Sequence, residues 1–104
     1  GSITDASGGS YAYRTSKAGV NMIGKALSAD LKEKGVSVGL IHPGMIRTQF
    51  GGDVSKLPEA MTKMQRSVED GVKGVVAAID EMSVDNSGTF WHANYGDGLK
   101  TCPW

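Results

Sequence analysis

Polar and apolar positions along the chain sort into blocks of different period. Residues 1–10 are polar and glycine-rich and read as a loop. From Tyr11 to Lys34 the spacing predicts one long helix. At about 100° per residue, Tyr13, Lys17, Val20, Gly24, Leu27 and Leu31 fall within about 40° of one direction. Ala18, Met22, Ala26 and Ala29 form a second stripe on the opposite side, small and apolar, bordered by Lys25. A helix with two apolar faces is usually covered on both. Gly35 is the expected stop.

The period then changes. Residues 36–42, Val-Ser-Val-Gly-Leu-Ile-His, are short, β-branched and nearly free of charge, which predicts a strand buried in a parallel sheet and ended by Pro43-Gly44. Residues 45–66 read as a loop holding Gly51 and Gly52, with a short helix from Glu59 to Gln65 opened by Pro58. A second helix is expected over 67–83. Ser67 caps it, Glu69 and Asp70 sit in its first turn, and Val68, Val72, Val75, Val76, Ile79 and Met82 recur at helical spacing. A second strand is expected over 88–94, followed by a turn and a short tail to Trp104. The order predicts an α/β fold with a strand–helix–strand crossover, a unit that is right-handed almost without exception. Two parallel strands do not make a stable sheet by themselves. The pattern therefore reads as the C-terminal part of one larger, doubly wound parallel sheet whose N-terminal half is absent, all 104 residues belonging to a single domain.

Composition narrows the function classes. Eleven basic residues balance eleven acidic ones, giving a net charge of zero, so no basic surplus points to nucleic acid or to an anionic membrane surface. No apolar run approaches the roughly 20 residues of a membrane helix, and the stretch from Gly1 does not read as a basic-then-apolar leader. Cys102 is the single cysteine, which excludes an internal disulfide and makes a reducing, cytoplasmic setting the default. His42 and His92 have no Cys or acidic partner at ligand spacing and read as structural, so no metal is expected. Trp91 and Trp104 read as packing residues, Cys102 as inert, and Asp80, Glu81 and Asp97 as solvated charges.

The stretch that carries chemistry is Ser10-Tyr11-Ala12-Tyr13-Arg14-Thr15-Ser16-Lys17-Ala18. Tyr13 and Lys17 are four apart and share a helix face. A phenol is a poor acid–base catalyst at neutral pH, but a nearby ammonium favours the phenolate. Tyr13 is thereby suited to give or take a proton at a carbonyl or alcohol oxygen. Tyr11 has Thr15 at the same spacing and lacks that cation.

The run Tyr13-Arg14-Thr15-Ser16-Lys17-Ala18 resembles the active-site helix of the short-chain dehydrogenase/reductase family. The likeness extends to Val38-Gly39-Leu40-Ile41-His42-Pro43-Gly44 with Thr48 four residues on, and to the late helix and the strand Gly88-Thr89-Phe90-Trp91. Within the family the chain looks most like the bacterial cell–cell-signalling-factor-like branch, which shares Gly1-Ser2-Ile3. The resemblance implies a Rossmann-type fold, an NAD or NADP cofactor, and hydride transfer to or from a small carbonyl or alcohol substrate. It makes Tyr13 the general acid/base, and Lys17 the residue that acidifies its phenol and bonds the nicotinamide ribose. Pro43, Gly44 and Ile46 resemble the segment lining the nicotinamide, with Thr48 as a hydroxyl partner of the carboxamide or a phosphate. The stretch 49–65 resembles the substrate lid, with Gln49, Phe50, Leu57, Met61 and Met64 as candidate contacts, although plain packing explains the methionines equally well. The resemblance also implies a homo-oligomer, a dimer in its simplest form, through the 11–34 helix.

The departures from the family pattern weigh as much. The glycine-rich phosphate loop is absent, as are the residue that selects NAD or NADP and the helix carrying the active-site Asn. The active-site Ser belongs just upstream of Gly1, with Ser2, Ser7 and Ser10 as weak substitutes. A chain of this extent is expected to be inactive alone. The rival reading is a non-catalytic, truncated paralogue that serves as a subunit interface or interaction module.

Overall fold

The computed structural model describes residues 2–4, 6–46, 66–94 and 98–104. Helix α1 spans Tyr11–Leu31 and tightens into a 3-10 turn, Lys32–Lys34, closed by Gly35 at φ 69°. Strand β1 is Gly39–His42, helix α2 is Val68–Glu81, strand β2 is Thr89–Asn94 and strand β3 is Gly98–Thr101. Ser67 caps α2, its hydroxyl accepting from the Asp70 amide at 3.1 Å, with Glu69 and Asp70 in the first turn. A 3-10 turn, Val84–Asn86, leads into β2.

The sheet order is β1-β2-β3. β1 and β2 are parallel, with Leu40 opposite Phe90 and His42 opposite His92. β2 and β3 are antiparallel, with Trp91 opposite Thr101. Side chains alternate across the sheet, so Leu40, His42, Phe90 and His92 share the α1 face, where Gly24 sits against Leu40. Ala93 faces α2, where Gly74 sits against its backbone. Leu40, Ala78, Phe90, Trp91 and Ala93 form the buried apolar core among the described residues. Trp104 stacks on Phe90 at 5.7 Å, and its carbonyl accepts from the Ile3 and Thr4 amides.

Three features differ from the sequence reading. The first strand begins at Gly39 instead of Val36, because the Ser87 hydroxyl takes the Val38 amide at 2.9 Å and the Gly88 amide takes its carbonyl at 2.7 Å. The tail contains an antiparallel edge strand, β3; one glycine and one lysine among its four residues hide it from any apolar period. The face of α1 turned to the sheet is Asn21, Gly24 and Ser28, of which Gly24 belongs to the first stripe and Asn21 and Ser28 lie to one side of it. Val20, Leu27 and Met22 are exposed. Close helix–sheet approach selects small residues at the line of contact: a Cβ on Gly24 would come within 2.6 Å of Leu40. The large apolar side chains Val20 and Leu27 flank that line, so the first stripe meets it only at Gly24. The expected short helix 59–65 lies outside the described residues.

Candidate active site

Helix α1 runs against the direction of the parallel strands. Gly24 meets Leu40 within β1, while Lys25 and Ser28, further along α1, meet Gly88 just before β2. The N-terminal part of α1, with Tyr13 and Lys17, therefore lies toward the carboxyl ends of β1 and β2. That is the end at which open α/β sheets bind ligands.

The start of α1 is held by Arg14, which no motif had singled out. Its Nε donates to the Gly9 carbonyl and its Nη2 to the Ser7 hydroxyl, both at 2.9 Å. Gly9 and Ser10 stand at φ 85° and 51°, two successive left-handed residues that swing the chain into the helix. Ser10 is a non-glycine residue there, a conformation usually held by its surroundings. The only sequence signal for Arg14 is its place one residue after Tyr13.

The Lys17 ammonium lies over the Tyr13 ring, 5.7 Å from its centroid. This is the contact expected of residues four apart on a helix. Tyr13 is 54% exposed and opens on a cleft of about 650 Å³, lined also by Ser2, Ser10, Thr15 and Met45. Met45 follows Pro43-Gly44, so the end of β1 and the Tyr13 helix share one cleft. Gly44 bends the chain at φ 86°. Ile46 forms a parallel bridge with Arg66, whose amide donates to the Met45 carbonyl at 2.7 Å and whose guanidinium reaches the Ala93 carbonyl at 3.3 Å. Ile46 also packs on Gly71 of α2. Thr48, Gln49, Phe50, Leu57, Met61 and Met64 lie outside the described residues.

His42 and His92 pair across the strands with ring centroids 4.9 Å apart. Partial burial first, then His92 across the strands, hold the His42 imidazole below its ordinary value. Among the described residues, no cluster of His, Cys, Asp and Glu is suited to a metal. No helix there is long and apolar enough to cross a membrane.

Comparison with known proteins decides the family. The short chain dehydrogenase model matches residues 3–59, more than half of the chain and the whole stretch from the loop before Tyr13 through Gly44. The chain belongs to the short chain dehydrogenase family. Among its relatives, C-signal of Myxococcus xanthus is 38% identical over 84 residues, which are 81% of this chain and 45% of the relative. The 1-hydroxy-2-glutathionyl-2-methyl-3-butene dehydrogenase of Rhodococcus sp. is 39% identical over 95 residues, 90% of this chain and 40% of the relative. The chain thus spans less than half the length of these short chain dehydrogenases. Among solved structures, NADPH-bound carbonyl reductase from chicken fatty liver superimposes with a TM-score of 0.80 at 29% identity. That match covers 99% of this chain and 38% of the reductase. Carbonyl reductase Sniffer of D. melanogaster gives 0.78 at 30%, covering 99% and 37%. The mixed α/β sheet is therefore part of the short chain dehydrogenase fold.

Proposed function

We propose that this chain supplies the proton-transfer and nicotinamide side of an NAD(P)-dependent oxidoreductase acting on a small carbonyl or alcohol. The observation that carries the reading is the shared cleft. Tyr13, with the Lys17 ammonium over its ring, and Met45, beside the Pro43-Gly44 bend, come from distant parts of the sequence and open on the same space. The donor set fits the group: a phenol and an ammonium stand on one helix face, and the half-buried glycine bend at Gly44 borders the same cleft. Tyr13 and Lys17 would hold the ribose, and Pro43, Gly44, Ile46 and Thr48 the nicotinamide. The cofactor, when bound, supplies or accepts the hydride at the substrate carbon. In the reducing direction Tyr13 gives its hydroxyl proton to the carbonyl oxygen, and in the oxidising direction it takes the alcohol proton. Lys17 stabilises the phenolate left behind.

The glycine-rich phosphate site and the active-site Ser are expected from sequence outside these 104 residues, so the activity belongs to the full-length protein. The lid stretch 49–65, with Gln49, Phe50, Leu57 and Met61, would select the substrate. A reducing, cytoplasmic setting is in keeping with Cys102 as the single cysteine. Self-association through the 11–34 helix is supported by its uncovered outer side, where Met22 and Ile23 are 69% and 68% exposed beside the small residues Ala26 and Ala29.

The test is a fluorescence titration of the full-length protein with NADH and with NADPH, repeated for Lys17→Met. The expected result is saturable binding of at least one dinucleotide, weakened by the substitution. Binding of neither dinucleotide would refute the oxidoreductase reading and leave the non-catalytic interaction module.

A further inference from the structure

The end of β1 holds a contact that the proposed chemistry does not use. The Gly44 amide donates to Nδ1 of His42 at 3.2 Å, closing a turn over Pro43. β1 ends at His42, and among the described residues the next backbone bond of the segment is the one from Arg66 to the Met45 carbonyl. Gly44 is left-handed at φ 86°. The segment is pinned at two points, by the His42 ring on one side of the bend and by Arg66 on the other.

We propose that His42 is a positioning residue for the cofactor site: its neutral imidazole holds the Gly44 bend, and protonation releases it, so that nicotinamide affinity falls in acid. The inference rests on Pro43, Gly44 and Ile46 lining the nicotinamide. The chemistry is that of the ring nitrogens. A neutral imidazole that accepts at Nδ1 carries its proton on Nε2, whereas an imidazolium has donors on both nitrogens. A proton on Nδ1 would face the Gly44 N–H, donor against donor, and the turn would have to open.

The surroundings keep His42 in the accepting form. His92 on β2 stands directly opposite in register, its ring 4.9 Å away. Arg66, before α2, brings its Nε within 4.0 Å of where a Gly44 Cβ would lie. From α1, the cations toward this end are Arg14 and Lys17. Of these, His92 opposes a further positive charge on His42. Partial burial first, then His92, depress the His42 pKa below the ordinary 6.5. For a depressed base, the accepting form is fully present above 6.5 and is lost as pH falls through the lowered value.

The experiment uses full-length protein labelled with nitrogen-15, with the Gly44 amide and the His42 ring followed by NMR from pH 8 to pH 4.5. Fluorescence titrations with NADH and NADPH run in parallel for wild type, His42→Asn and His42→Leu. Asn can accept from the amide two residues on and does not titrate. The expected result is a Gly44 amide that shifts with the His42 ring, and an affinity that drops about five- to tenfold in acid, the scale of one hydrogen bond. His42→Asn should match wild type at pH 7.5 and lose that acid drop, and His42→Leu should bind weakly throughout. A wild type that binds neither dinucleotide at pH 7.5 overturns the reading of the site itself. In a protein that does bind, a Gly44 amide indifferent to the His42 ring, or an acid drop unchanged in His42→Asn, overturns this inference alone.

Discussion

Helix α2 rests on β2 through Gly74, and the cost of one methyl group there can be worked from the structure. A Cβ on Gly74 would lie 2.8 Å from the Ala93 carbonyl oxygen and 3.4 Å from the Ala93 carbonyl carbon and Cβ. An ordinary close carbon–oxygen approach is about 3.3 Å, so Gly74→Ala must push the helix from the strand by about half an ångström. Both sides of the contact are backbone, and no rotamer change relieves it. Ala93 is fully buried on the middle strand, and its carbonyl also accepts from Arg66. Overpacking of this kind costs about 1–3 kcal/mol, of which the better helix propensity of alanine returns up to about 1 kcal/mol. The net expectation is a loss of about 1–2 kcal/mol, or about 2–8 °C in Tm for a protein of 150–250 residues. The control is Gly71→Ala on the same helix. There the new methyl would come 2.6 Å from Cδ1 and 2.8 Å from Cγ1 of Ile46, side-chain atoms that a change of rotamer can move where the Ala93 backbone cannot, so the loss of stability should be smaller than for Gly74→Ala. Thermal and urea unfolding of the full-length protein measure both. Gly74→Ala as stable as wild type, or Gly71→Ala the more damaging of the two, would refute the reasoning.

Other outcomes follow from the same structure. Gly88→Ala should destabilise by about 2 kcal/mol in urea unfolding, because Gly88 stands at φ 77° and a Cβ there would collide with the Ser28 hydroxyl and come within 3.2 Å of the Lys25 ammonium; a loss below about 0.5 kcal/mol would contradict the packing of α1 on that turn. Ala26→Arg should shift full-length protein toward monomer in sedimentation, since it would bury an unpaired charge in the proposed helix interface. A wild type already monomeric at tens of micromolar, or a variant of unchanged mass, would count against that interface.

Some of the fold and the site were legible in the sequence, and the exceptions have physical causes. The turn residues announced themselves: Gly35, Ser67 and Gly44 stand where their chemistry requires. The Tyr13–Lys17 contact follows from helix geometry and needs no tertiary information. The contact line of α1 is only partly legible: Gly24 lies in the first apolar stripe, but Asn21 and Ser28 beside it carry no hydrophobic signal. Strand β3 was missed because an edge strand depends on its hairpin partner more than on its own four residues. Arg14, Arg66 and the His42–Gly44 bond are tertiary or loop-specific contacts, invisible to any periodicity.

The central claim is that the Tyr13 hydroxyl moves the proton that accompanies hydride transfer, and Tyr13→Phe tests it most directly. The substitution keeps the ring beneath the Lys17 ammonium and deletes one oxygen. Steady-state turnover of a carbonyl substrate and dinucleotide affinity are measured side by side on full-length protein. The account predicts a fall in kcat of about 10²–10⁴-fold with dinucleotide affinity within about threefold of wild type. A variant that binds the dinucleotide normally and turns over within about threefold of wild type would contradict it.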